Sequence, residues 1–138
     1  MKPLSQREKA LIRRSFSRIA SRHQTTAQHF FDRLFALDPE IEPLFPTDLT
    51  AHKRKFMQML ALMINALDEP DRFTEMSRKL GERHVGYGVQ PRYYGIAREA
   101  LLWALEQSMD NQFTAPVREA WAAFYDAMVA DAPPLEGE

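Results

Sequence analysis

The sequence predicts an all-α protein with six or seven helices. Apolar residues recur at helical spacing in several segments, and proline or glycine stands between those segments. No useful length of chain alternates apolar and polar residues as a half-buried β-strand would. With 138 residues, of which 45% are hydrophobic, the chain can form one sizeable core, and we expect a single domain over 1–138.

Capping and helix-breaking residues set the predicted boundaries. Ser5 and Glu8 fit a capping box at the start of the first helix. Thr25 or Thr26 can cap the second helix, and Asp38, which precedes a proline, ends it. The helices are therefore predicted over 5–20, 25–37, 49–67, 73–84, 91–109 and 115–132, with a short helical turn at 39–46.

Charge and composition exclude several classes of function. Eighteen basic and 19 acidic residues give a formal net charge of −1, so nothing favours nucleic acid as a partner. No stretch reaches the roughly 18 consecutive apolar residues of a membrane span, and the start of the chain lacks a secretory signal, so we expect a cytoplasmic protein. Cysteine is absent, which excludes thiolate ligands. Phosphate-binding loops and paired metal-binding motifs are also absent.

Four segments, read in order, resemble the globin family. The segment 34–45 is similar to the globin stretch that ends the second helix and enters the haem corner. The segment 52–57 is similar to the start of the distal helix, 80–89 to the proximal helix and the following turn, and 120–125 to the final helix. The resemblance covers about 5–130 and is nearest to bacterial single-domain haemoglobins and neuroglobin-like sequences.

The resemblance implies a haem b held between two histidines. His84 matches the proximal histidine, whose neutral imidazole is a strong axial ligand of haem iron. His52 matches the distal histidine, which can donate a hydrogen bond to a bound gas or ligate the iron itself. Taken alone, each histidine could instead be a solvated residue near a helix end. Because no C-x-x-C-H motif is present, attachment of the haem must be non-covalent.

The same resemblance implies further haem contacts. Phe45 would pack on the haem face. Phe31 and Phe56 would line the distal pocket, although these two also suit a core without a cofactor. Lys55 could reach a haem propionate, or could simply be a solvated surface lysine. Tyr94 matches an aromatic position near the proximal pocket, where some bacterial globins have a Tyr–Glu network that we do not expect here. The full predicted set of haem contacts besides the two histidines is Phe31, Phe45, Lys55, Phe56, Leu80, Val89 and Tyr94.

Three classes of function follow from the resemblance. The first is reversible binding of oxygen, carbon monoxide or nitric oxide for storage, delivery or buffering. The alternative is an enzyme that oxidises nitric oxide to nitrate, which would need an external reductase because no reductase sequence is present. The third is a gas or redox sensor.

Overall fold

Six α-helices build the part of the chain that the structure describes. The structure is a computed structural model that describes residues 3–86 and 91–130, and within these ranges it contains helices and turns without any strand. The all-α prediction is therefore confirmed. The helices are α1 (Gln6–Arg18), α2 (His23–Leu37), α3 (Thr50–Asn65), α4 (Pro70–Gly86), α5 (Pro91–Met109) and α6 (Ala115–Ala130), with short 3₁₀ segments at Ala20–Arg22, Pro39–Leu44 and Asp110–Gln112.

Local sequence signals account for the start of α1. The Ser5 side chain accepts the backbone N–H of Glu8 at 3.0 Å, and the Ser5 N–H donates to the Glu8 carboxylate at 2.8 Å. The predicted capping box is therefore confirmed. It satisfies two backbone donors that would otherwise lack partners at the helix end.

The start of α2 differs from the prediction. The helix begins at His23 without a side-chain cap, and the expected caps Thr25 and Thr26 lie inside it. The 3₁₀ segment Ala20–Arg22 leads directly into the helix, so its first residues need no threonine cap. Thr26 instead is buried and shares a 2.7 Å hydrogen bond with the Ser108 hydroxyl of α5.

Helix α4 also begins earlier than predicted, at Pro70 rather than near residue 73. The acidic segment before it does break the chain after α3. Pro70 then occupies the first position of α4, where a missing N–H removes no intrahelical hydrogen bond.

The helices pack in pairs around one continuous apolar cluster. Helix α2 packs on both α5 and α3, and α6 packs on α1, α4 and α5. The largest fully buried side chains of this core are Trp121, Phe124, Ile12, Ile19, Leu60, Met63, Leu101 and Leu105. Over the described residues, α3 and α4 share no extensive contact.

Two contacts fix α4 against α6. The Ser77 hydroxyl donates to the Met128 carbonyl, and the Phe73 ring lies edge-on to Phe124 with centroids 6.1 Å apart. No helix of the described residues is long and apolar enough to cross a membrane.

Candidate functional site

An aromatic cluster joins α2, α3 and the connection between them. The Phe31 ring lies 5.4 Å from Phe45 and 6.0 Å from Phe56, both edge-on. The Phe45 ring lies 5.2 Å from the His52 imidazole, again edge-on, and Phe30 stacks on Phe56 at 4.1 Å. The fold thus brings Phe31, Phe45, His52 and Phe56 together, as the sequence-based interpretation of a distal pocket requires.

Helical spacing and one extended residue produce this arrangement. His52 and Phe56 stand four residues apart on α3, so their side chains lie on one face. Phe45 follows the 3₁₀ segment Pro39–Leu44 in an extended conformation, with φ −119° and ψ 152°. This extended residue after the 3₁₀ segment carries the Phe45 ring to Phe31 of α2 and His52 of α3.

One nitrogen of His52 has no partner in the described part of the chain. Its Nδ1 is buried and makes no hydrogen bond with the described residues. Buried polar atoms almost always have partners, so an unpartnered imidazole nitrogen beside an aromatic wall indicates a place for a ligand or an ordered water. This donor chemistry fits a haem, which needs apolar faces for its ring and imidazole for its iron.

The proximal side is described in part. His84 lies in α4 two residues before the helix ends, but its side chain lies outside the described part of the structure. Leu80, one turn earlier, is half-buried and packs on the core. Val89 lies outside the described residues altogether, so its contact with haem stays a prediction, as does ligation by His84.

Lys55 and Tyr94 occupy different environments. Lys55 is exposed on α3. Its predicted contact with a haem propionate stays a prediction. Tyr94 is half-buried on α5, and its carbonyl accepts a 2.6 Å hydrogen bond from the Tyr125 hydroxyl of α6. Burial raises the pKa of both tyrosines, and the neighbouring Tyr94 raises that of Tyr125 further, so both phenols are neutral near pH 7.

Arg92 reaches the same region, although no motif or spacing in the sequence marks it. On α5, this residue donates to Asp38 at 2.8 Å and to Glu40 at 2.9 Å, which ties α5 to the corner that precedes Phe45. Asp38 was identified only as the residue that ends α2. Nothing local in the sequence marks its pairing with an arginine 54 positions later.

The described residues form no site for a metal ion bound directly by protein side chains. Within the described ranges, no three histidine or acidic side chains cluster closely enough to hold an ion. A haem iron differs because it takes only axial ligands from the protein, so two histidines suffice.

Comparisons with known proteins agree with the fold. The family model for globins matches residues 28–132. The neuroglobins of Tetraodon nigroviridis and Chaenocephalus aceratus are each 29% identical to the chain over 144 residues, covering 94% of it and 91% of their own lengths. The flavohemoprotein of Vibrio cholerae is 28% identical over 128 residues, covering 88% of the chain but 32% of its own length.

A solved structure has the same fold. It is an engineered carbene transferase derived from a nitric oxide dioxygenase candidate of Rhodothermus marinus. It superposes with a TM-score of 0.82 at 22% identity, covering 94% of this chain and 90% of that one.

Proposed function

The chain belongs to the globin family, and from that premise we propose that it holds one haem b without covalent bonds between α3 and α4. Family membership makes the protein a haem-binding, gas-binding globin. The finer proposal is that His84 is the proximal iron ligand and that His52 is the distal histidine. The protein then binds oxygen or another diatomic gas reversibly, for storage, delivery or buffering.

The observation that carries this proposal is the buried Nδ1 of His52, which has no partner among the described residues and belongs to a ring that lies edge-on to Phe45. The phenyl rings of Phe31, Phe45 and Phe56 would pack on the porphyrin and exclude water from it. Leu80 and Val89 would contact it from the proximal side. When bound, the haem would supply an iron centre that can take up a diatomic gas.

The chain's own residues would tune that gas site. Phe31 carries no hydroxyl, so His52 is the polar group that the described distal wall offers to a bound gas. A neutral imidazole N–H can donate a hydrogen bond to a gas that carries partial negative charge. Lys55, exposed on α3, would pair with a propionate, and Tyr94 would border the proximal side.

Absorption spectra of the purified protein test the proposal. Oxidised, reduced and reduced carbon monoxide forms should each give a b-type haem spectrum at one haem per chain. The His84→Gly variant should lose haem or bind it only when imidazole is added. His29→Gly is the matched control and should retain haem, because the His29 ring packs edge-on against Trp103 of α5 and is not part of the aromatic cluster. Unchanged haem affinity in His84→Gly would refute proximal ligation by this residue.

Nitric oxide dioxygenation is the second candidate, and the similarity to a flavohemoprotein favours it. One nitric oxide, one oxygen molecule and one electron together give nitrate, so each turnover consumes an electron. A separate reductase would supply that electron. With NADH and a flavin reductase added, an enzyme should form nitrate over many turnovers, whereas a gas-binding protein should stop after about one nitrate per haem.

A further inference from the structure

Arg92 joins the start of α5 to the corner that precedes Phe45. Its Nη1 donates to Asp38 Oδ2 at 2.8 Å, and its Nη2 donates to Glu40 Oε1 at 2.9 Å. The Asp38 side chain is 9% exposed and that of Arg92 is 49% exposed, so the carboxylate is buried while the guanidinium reaches solvent. Breaking the pair would leave the buried Asp38 carboxylate without a compensating charge. This cost keeps the contact between α5 and the corner closed.

Asp38 uses every polar group it has. Its N–H donates to the Leu34 carbonyl at 3.1 Å, and its own carbonyl accepts the Ile41 N–H at 3.0 Å. Its second carboxylate oxygen accepts the Glu40 N–H at 3.0 Å. One residue therefore ends α2, begins the segment Pro39–Leu44 and receives Arg92.

The corner leads directly to the distal histidine. Phe45 follows Pro39–Leu44, and its N–H donates to the Glu42 carbonyl at 3.0 Å, so the ring moves with that segment. The Phe45 ring lies edge-on to the His52 imidazole, with the two ring centroids 5.2 Å apart. On the other side, the Arg92 guanidinium lies 4.7 Å from the ring of the buried Tyr93, which gives the connection a fixed base on α5.

We propose that Arg92 is a positioning residue for gas binding. By holding Asp38 and the Pro39–Leu44 segment against α5, it sets where Phe45, and through Phe45 the imidazole of His52, stand over the gas site. This inference rests on the proposed distal role of His52, in the form in which its imidazole occupies the gas site until a gas displaces it. Without the clamp the corner moves more freely, His52 withdraws for a larger fraction of the time, and gas binding, which follows that open fraction, becomes faster.

The test compares Arg92→Gln with Arg98→Gln. Arg98 is the matched control because it lies on the same helix and forms a two-pronged ion pair with Asp126, at 2.9 and 3.3 Å, away from the corner. Arg92→Gln should speed hydrogen exchange at the amides of Ile41 and Phe45 and raise the carbon monoxide binding rate by roughly 3- to 10-fold. Arg98→Gln should leave both quantities unchanged.

Two further variants separate the clamp from a general loss of stability. Arg92→Lys keeps the charge, but a single ammonium cannot reproduce the fork, so its exchange and binding rates should fall between wild type and Arg92→Gln. Asp38→Asn should accelerate the same two amides. Combining it with Arg92→Gln should add little, because both changes break one interaction.

Each outcome decides the proposal. Wild-type exchange at Ile41 and Phe45 in Arg92→Gln would refute the clamp. Faster exchange with a wild-type carbon monoxide rate would refute the positioning role, and so would an equal rate change in Arg98→Gln. A wild-type protein that takes up no haem would refute the proposed function itself, and exchange in the same variants would then show whether the clamp exists without it.

Discussion

Replacing His52 with leucine should stabilise the haem-free protein while altering the gas site. The wild-type imidazole has a buried Nδ1 without a partner among the described residues. Its ring packs edge-on against Phe45, with the ring centroids 5.2 Å apart. A leucine of similar size keeps the apolar contact and removes the unsatisfied nitrogen. The substitution therefore separates what the fold needs at this position from what a gas site needs.

The magnitude follows from the burial of the ring. A buried polar atom without a partner costs about 1–3 kcal/mol, and because the His52 side chain is only half-buried we take the lower end. The free energy of unfolding of the haem-free His52→Leu variant should therefore rise by about 1 kcal/mol. For a chain of this size that raises the midpoint of thermal unfolding by about 3 °C.

His23→Leu is the matched control for this experiment. The Nε2 of His23 is also buried without a partner in the described residues, but its ring packs on Phe16, 4.9 Å away and outside the aromatic cluster. Thermal and urea unfolding of the haem-free proteins should show a similar gain for both variants. Only His52→Leu should convert the reduced, gas-free spectrum from six- to five-coordinate and speed carbon monoxide binding, because the wild-type imidazole must first leave the iron.

Three results would refute this reasoning. A haem-free His52→Leu variant that unfolds more easily than wild type would show that the imidazole has a stabilising partner. Equal spectral changes in His23→Leu and His52→Leu would show that the distal position is not special. A wild-type reduced protein that is already five-coordinate and high-spin would show that His52 does not bind iron and leave it only the hydrogen-bonding role.

Three more outcomes are expected. Haem should raise the free energy of unfolding by roughly 4 kcal/mol at a thousandfold excess over its Kd, so equal midpoints for haem-free and haem-saturated protein would count against the pocket. Burial lowers the pKa of His23, so the unfolded chain takes up a proton more readily than the folded one, and the free energy of unfolding falls as the pH drops below about 6.5. The His23→Leu variant should therefore show a smaller change in its urea midpoint between pH 7.5 and pH 5 than wild type. Trp121→Phe should cost about 2 kcal/mol of unfolding free energy, because the fully buried indole donates to Ser15 at 2.8 Å, whereas the partly exposed Trp103→Phe should cost less by the same urea measurement.

Local signals predicted most of the helices. The capping box at Ser5 acts within four residues, so its outcome did not depend on the rest of the fold. His52 and Phe56 could likewise be placed on one face from their spacing alone. The start of α2 could not be predicted in this way, because it depends on a 3₁₀ segment that continues into the helix, and Thr26 is instead used for a buried contact with Ser108.

Long-range partners explain what the sequence analysis missed at the site. The Phe45 ring reaches His52 only because the chain turns at Pro39–Leu44, and that turn is fixed by an ion pair between residues 54 positions apart. No periodicity or capping rule reports such a pair. The proposed roles of His52 and Phe45 follow from family resemblance, whereas the pairing of Arg92 with Asp38 is visible only in the folded structure.

Two departures from the usual rules of stable packing meet at Phe45. On one side the buried Nδ1 of His52 lacks a partner among the described residues, and on the other the buried carboxylate of Asp38 needs Arg92 to compensate its charge. Apolar residues at these positions would satisfy the fold at lower cost, since a buried ion pair is often no more stable than well-packed hydrophobic side chains. Proteins retain local conflicts of this kind mainly where a site requires them. The corner around Phe45 is therefore where we expect substitutions to change gas binding most.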